Sequence, residues 1–492
     1  MFSSMKLMTS GCLALVVATI PPVWAGESDT AELRAIGLEV KWRSHVEHEP
    51  AVGRAVKLQL YPHSQLRKQQ AQLLVDGRVT ERFVAPLAGP GSGPQALDIA
   101  KGEAQRVADR LKILGRDASV EVVSEPLVFM LVTSGSSAIT ALDAETGEQI
   151  WTNRVGNPLR PTLKADMDDR FVSVVNGMDL YVLDSLSGSL IGTRRLKNVP
   201  GSGPLVINNW VFSVGSGGGI FGDQPEQQRE NPWSFKTGAT STMPAVQILG
   251  GEHFAWAVDS REVYVFQVGE RPAPWFRLRS RDRLLNAPVA ISDGFVVANE
   301  EGVVIRLSIA QTNNIIWRNG IGLQMHHAPL VDNEIVLLIA DDGTTTAFNL
   351  KDGSKRWIRY LHGAEEGLVI TENRIYVRTI RGSIIALDKS SGGVLGETRC
   401  TFAPGMVNSM NDRIYLRSDT GTVTCLAEIG AGAPSFHFPR AAARQALVAM
   451  SEGRLGAEDF GEPIEPSDRF DPGGVRDQPA RPERDLDSPF DF

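Results

Sequence analysis

The sequence predicts an all-β fold: an eight-bladed β-propeller of four-stranded blades, with a small α+β N-terminal insertion and a disordered C-terminal tail. Three observations predict it. A unit of about 40 residues recurs through the middle of the 492-residue chain. Each copy pairs an apolar strand end with a tight turn, and several add a tryptophan shortly after. No segment between residues 130 and 430 keeps a 3.6-residue apolar stripe, which excludes helical solenoids of similar period.

The chain opens on an export signal. Lys6 supplies a positive start, Leu13 to Ile20 is an apolar core too short to span a bilayer, and Val23-Trp24-Ala25 resembles a cleavage site before Gly26. Residues 1–25 therefore read as a signal peptide. Ser10-Gly11-Cys12 looks like the end of a lipobox, but its cysteine precedes the apolar core instead of following it, which argues against lipidation there. No other apolar run is long enough to cross a membrane, so the expected location is the periplasm or outer envelope, soluble after cleavage. Export makes a disulfide between Cys400 and Cys425 chemically permissible, and two unpaired thiols are equally compatible with the sequence.

Residues 26–49 contain one strand-like run, Leu38-Glu39-Val40-Lys41-Trp42. The last repeat has no tryptophan strand of its own, so this run is expected to complete the final blade and hide two open edges. Residues 50–125 read as a small α+β insertion. Val56 to Tyr61 and Ala71 to Val84 are strand-like, and Ser119 to Val123 follow. Between them Ala104, Val107, Ala108, Leu111 and Leu114 mark an amphipathic helix stopped by Gly115.

The ring itself occupies residues 126–438. Anchors at Leu142, Leu183, Phe266, Leu307, Phe348, Leu387 and Leu426 stand 41, 83, 41, 41, 39 and 39 residues apart. The interval of 83 is two periods, and it predicts a degenerate copy near residue 224, beside the Gly-rich stretch from Gly215 to Gly222. That makes eight copies. The repeat is clearest at Ala141, Asp143, Thr146, Gly147 and Trp151. It returns at Asp184 and Gly188, at Trp275, at Trp317, at Asn349, Gly353 and Trp357, and at Asp388 and Gly392. Asp and Thr oxygens accept backbone N–H groups in such a turn, and glycine takes the left-handed position. In the second copy Gly192 stands where the tryptophan belongs.

Residues 439–492 are a possible short helix (440–451) and an acidic Pro-rich tail. Seven Arg stand against twelve Asp and Glu, a balance of −5 out of −8 for the whole chain. The tail has too little apolar surface to fold alone; Phe490 and Phe492 are a candidate partner-docking tag at its end. The acidic balance also argues against a nucleic-acid binder, which needs a basic face to replace counterions.

The pattern Ala141-x-Asp143-x-x-Thr146-Gly147-x-x-x-Trp151 resembles, position for position, the tryptophan-docking motif of the PQQ-repeat (quinoprotein-like) propeller family, over roughly residues 127 to 430. The resemblance implies tryptophans wedged between blades. It implies no single function, because the family holds PQQ-dependent dehydrogenases as well as non-enzymatic scaffolds, among them an outer-membrane assembly type to which this chain is similar. A dehydrogenase of the family needs a Ca²⁺ site of Glu, Asn and Asp, an Asp base and a tryptophan platform, often with vicinal cysteines. The acidic residues here sit mostly in turns, and neither vicinal cysteines nor a haem-attachment CxxCH occurs in the sequence.

Other local features carry little chemistry. His326 and His327 are adjacent, so on a strand they face opposite ways and do not share a metal ion. Gly215 to Gly219 lacks the Lys-Ser/Thr that a phosphate loop requires. Ser134-Gly135-Ser136-Ser137 reads as a hairpin turn. The expectation is thus a non-enzymatic exported scaffold without cofactor or metal. It binds protein partners in the envelope and no nucleic acid, and reaches the membrane only through a partner. PQQ/Ca²⁺ catalysis and cell-wall binding through residues 50–125 are the alternatives. Aligning the first strands of the blades places Arg160, Met243, Asn286, His327, Glu366 and Met406 at one mouth of the channel as candidate partner-binding residues. Trp233 and Phe235 mark a candidate contact loop.

Overall fold

The structure is a computed structural model that describes residues 27–48, 56–76, 78–84, 94–226, 233–259, 261–284, 286–310, 314–399 and 401–438. The signal peptide, Cys12, Cys400, the 440–451 helix and the acidic tail lie outside the described residues. Eight antiparallel sheets form the blades of a ring. Blades 2 to 7 each comprise four strands in sequence order. Their first strands are Asp166–Met167, Leu205–Ile207, Val246–Gln247, Val289–Ile291, Leu330–Val331 and Ala364–Ile370. These first strands contact one another around the ring, and those of blades 2 to 5 line the central channel.

The middle strands of each blade are buried on both faces, which is why they read as near-continuous apolar runs. Phe171–Asn176, Ile335–Ile339 and His253–Val258 are buried at every position. Outer strands alternate with solvent: Gln149–Arg154 buries Trp151 and exposes Thr152.

Two strand groups depart from the plain repeat. An N-terminal helix α1 (Glu27–Ala35) leads into β1 (Leu38–His45), which pairs antiparallel with Thr422–Glu428 and sets Trp42 opposite Cys425. The last blade is therefore built from both ends of the ring. Its innermost strand is reduced to a bridge between Gly405 and Leu416.

Blade 1 is a five-stranded sheet of β2 (Lys57–Val75), β3 (Arg78–Val84), β4 (Ala118–Thr133), β5 (Ala138–Asp143) and β6 (Gln149–Arg154), with α2 (Pro94–Ile113) between β3 and β4. The sequence reading drew an insertion boundary at residue 125, and the structure shows no break there. β2 and β4 are single long strands. Lys57 to Pro62 pair with Val128 to Thr133 inside the blade, and Arg67 to Val75 pair with Ala118 to Pro126 beyond it, around an irregularity at 62–67. Residues 57–62 are thus the first strand of blade 1. The extension grows out of that strand pair, with Ala108 of α2 buried over Leu73 and Ala118. Its root is anchored by Asp169, which accepts from Tyr61 Oη at 3.0 Å and from the Ser64 amide at 2.9 Å.

Blade 3 is the degenerate copy. Its anchor strand is Gly219–Asp223, reached through a turn at 216–218 from Trp210–Gly215, so the Gly-rich stretch is a hairpin turn and the strand that follows it. Gly222 is required for space: a Cβ there would lie 2.5 Å from the Phe212 ring.

Candidate functional site

The repeat motif is a device for joining blades. Each tryptophan lies on an outer strand and donates its indole N–H to a carbonyl in the turn of the next blade. The acceptors are Ala144 for Trp42 (3.1 Å), Ser185 for Trp151 (2.9 Å), Ile309 for Trp275 (3.2 Å), Leu350 for Trp317 (2.8 Å) and Lys389 for Trp357 (3.0 Å). Every acceptor directly follows the Asp, Asn or Ser that opens the turn. Asp143, Asp184 and Asp388 hold that turn by accepting the amides of Glu145, Ser187 and Ser391 at 2.8–2.9 Å, and Thr146 accepts from the Glu148 amide at 3.3 Å. In blade 6 Asn349 bonds Ser354 Oγ instead, and Asp352 accepts the Ser354 amide.

The motif glycine has two jobs. Gly147, Gly188, Gly353 and Gly392 have φ of +68° to +72°. A Cβ on any of them would also stand 2.5 Å from the docking indole of the previous blade. Gly353→Ala is therefore expected to cost about 2–4 kcal/mol, combining left-handed strain with overpacking against Trp317. Urea denaturation measures it, and a loss below about 1 kcal/mol would show that the indole yields freely.

Seams without this tryptophan are filled otherwise. Between blades 2 and 3, where Gly192 faces Val182, the side chains of Phe171, Val175, Leu180, Val206 and Val211 close the gap. Gly396 holds the tryptophan position of blade 7, and Ile36, just after α1, packs beside it together with Leu33. Arg413 is wholly buried at the closing seam. It donates to Asp412 at 2.8 Å and to the Gly432 carbonyl at 2.6 Å, and pairs with Glu145 of blade 1 at 3.5 Å.

Trp233 and Phe235 are not a contact loop. They lie on the strand Trp233–Lys236, where Trp233 pairs with Gly222 and sits edge-on between Phe212 and Phe266, each centroid 5.7 Å away. Phe235 packs on Tyr264 and Phe266. An aromatic cluster joins blades 3 and 4, and the indole belongs to it.

Met243, Asn286 and His327 each stand three residues before the first strands of blades 4, 5 and 6. Met406 lines the central channel; Met243 is buried beside it, and Asn286 and His327 also precede wall residues, namely Pro244, Ala287 and Ala328. Arg160 is exposed and bonded to Asp179 at 3.1 Å. Glu366 pairs in register with Arg378.

The channel encloses a cavity of about 630 Å³ with largely apolar walls, among which Lys57, Lys164 and Asp166 carry charge. Sequence reading passed over all three; their position on or just before a first strand was the available signal. Lys57 donates to the Thr162 carbonyl at 3.1 Å. Lys164 reaches solvent inside the channel yet is ringed by protein, and desolvation lowers its pKa against the opposing pull of Asp166. Desolvation pushes the Asp166 carboxyl up to about 7, although its Oδ2 accepts the Val206 amide at 2.9 Å. A carboxyl raised in the folded state binds its proton more tightly there than in the unfolded chain. Its effect is to lower stability as pH rises from about 4 to about 7, and to stay level above that. Asp166→Asn is therefore expected to gain on the parent through that window, by on the order of 1–3 kcal/mol at pH 7. Denaturation at a series of pH values measures the difference, and parallel curves would count against it.

A quinone with Ca²⁺ does not suit this channel. Among the described residues the wall holds no tryptophan for a platform, and its one acid is Asp166, already hydrogen-bonded and pushed toward the neutral form. Among the described residues no three His, Cys, Asp or Glu side chains group as metal ligands. His326 instead pairs with Asp341. Cys425 is a buried free thiol whose pKa is raised by desolvation.

Known proteins share this arrangement. The PQQ_2 family model, described as "Outer membrane protein assembly factor BamB", matches residues 116–271 and 255–372, just over half of the chain. The chain belongs to this PQQ-repeat propeller family. Among curated members it is similar to the outer membrane protein assembly factor BamB of Bordetella pertussis, with 26% identity over 244 residues, 45% of this chain and 62% of that protein. A second BamB, from Alkalilimnicola ehrlichii, is 24% identical over 121 residues, 22% of this chain and 31% of its own. The matches thus span about three fifths and one third of these relatives. Among solved structures, BamB from Moraxella catarrhalis aligns with a TM-score of 0.49 at 16% identity, covering 61% of this chain and 93% of that one.

Proposed function

We propose that this protein is a non-enzymatic, protein-binding propeller of the cell envelope that takes part in outer-membrane protein assembly. The observation that carries the reading is the family match across residues 116–372, whose description names an outer-membrane assembly factor. The chemistry of the repeat agrees with it, since its aspartates are engaged in turn amides and its tryptophans in blade seams. Among the described residues no helix is long and apolar enough to cross a membrane; attachment through a protein partner fits that.

Affinity isolation of the tagged full-length chain from chemically crosslinked envelopes tests the reading. Components that insert outer-membrane barrels are expected among the captured proteins, and deletion of the chain is expected to lower the amount of assembled barrels. Unchanged barrel assembly together with no captured assembly component would overturn it. Addition of PQQ and Ca²⁺ is expected to yield no dye reduction.

A further inference from the structure

We propose that the acidic segment 452–492 of this chain docks against the cationic side of its own central channel, formed by Lys57 and Lys164 with Arg417 behind them. The inference is independent of the assembly role. Two of the cations are bonded to carbonyls: Lys57 to Thr162 and Arg417, at 2.7 Å, to Val56. The three repel one another. Desolvation lowers the pKa of both lysines, Arg417 lowers both further, and Lys57 adds to the effect at Lys164 against the pull of Asp166. The carboxyls close by, Asp166 and Glu366, are both pushed toward the neutral form by desolvation and compensate them incompletely. An apolar-walled channel focuses such a field onto whatever enters it.

The occupant follows from where the described chain ends. Phe438, the last described residue, is itself part of the channel wall. It is led there by His437, whose amide donates to the Met410 carbonyl at 2.9 Å and whose Nδ1 lies 3.2 Å from the Ser409 carbonyl. Residues 439–492 continue from that point, and within 452–492 five Arg stand against twelve Asp and Glu, a balance of −7. The spacer 439–451 reaches about 20 Å as a helix and about 40 Å when extended, against roughly 17 Å for the Lys57–Tyr61 strand of the channel wall. A tether of this kind holds the acidic segment at an effective concentration on the order of millimolar.

Zero-length carbodiimide coupling of the full-length chain, read by mass spectrometry on a mixture of ¹⁵N-labelled and unlabelled protein, tests the proposal. Two close pairs serve as internal controls: Lys389–Asp332 at 2.7 Å and Lys41–Glu39 at 2.6 Å. The expected result is intramolecular links from Lys57 or Lys164 to carboxyls in 452–492. They should fall about tenfold between 0.05 and 0.5 M salt while the buried Lys389–Asp332 link persists. In a full-length variant with the acids of 452–492 changed to Asn and Gln, amine-reactive labelling of Lys57 and Lys164 is expected to rise about fivefold, with Lys389 unchanged. Links confined to the controls, links only between labelled and unlabelled copies, or unaltered labelling would each overturn it. The last two outcomes point respectively to a second copy or to another anionic occupant.

Discussion

Replacing Trp42 with alanine is expected to remove about 3–5 kcal/mol of stability, the usual cost of deleting a large buried aromatic, and to loosen the whole ring. Trp42 is 8% exposed and packs against Tyr415, with centroids 6.2 Å apart. It donates to Ala144 and stacks on Gly147 of blade 1. It is also carried by the strand that completes blade 8. Other docking tryptophans join neighbours in sequence, whereas this one joins the two ends of the ring. Trp42→Ala should therefore unfold at lower urea concentration and make Val46 and residues 422–428 exchange amide hydrogens faster. Trp317→Ala, at a seam inside the ring, is the comparison. Loss of stability without faster exchange at 422–428 would show that β1 holds through its backbone pairing alone.

Asp332→Ala is expected to cost about 3–5 kcal/mol, because it strands a buried ammonium. The Lys389–Asp332 pair is 2.7 Å long, with side chains 8% and 2% exposed. Glu334, at 3.1 Å, is a mostly exposed second partner and replaces little of the loss. Asp332 Oδ1 also accepts the amides of Glu334 and Ile335, so alanine leaves two donors without their acceptor. The effect reaches the seam, since the Lys389 carbonyl receives the Trp357 indole. Asp332→Asn keeps an amide acceptor and should cost less. A double substitution that also changes Lys389 to Met should recover part of the loss, as removal of both charges often does. Thermal and urea unfolding of the three variants measure this; equal losses for Asn and Ala would place the cost in the amides.

Much of the ring was legible because its signals are local. Hairpin turns, Asp–amide bonds and left-handed glycines lie within five residues of each other, so the Asp143–Gly147 pattern and its returns set the period without knowledge of the whole. The candidate contacts were less legible. The first strands have as few as two residues, too few for a period to show in the sequence. Trp233 was read as a loop residue because blade 3 lacks the motif that would have marked its strand. Lys57, Lys164 and Asp166 were passed over because charges on apolar strands look like edge or turn residues until the ring encloses them.

By itself, then, the sequence determined the repeat, the blade count and the turn chemistry, since each depends on backbone preferences over a few residues. Tertiary structure alone decided which tryptophan meets which carbonyl some 30 residues onward, and that Trp42 closes a ring with Ala144. It decided too that β2 and β4 each run from blade to extension, and that two lysines share one channel with Arg417 behind them. Those outcomes depend on groups distant in the chain competing for the same enclosed space, where burial and desolvation, not local propensity, set the energies.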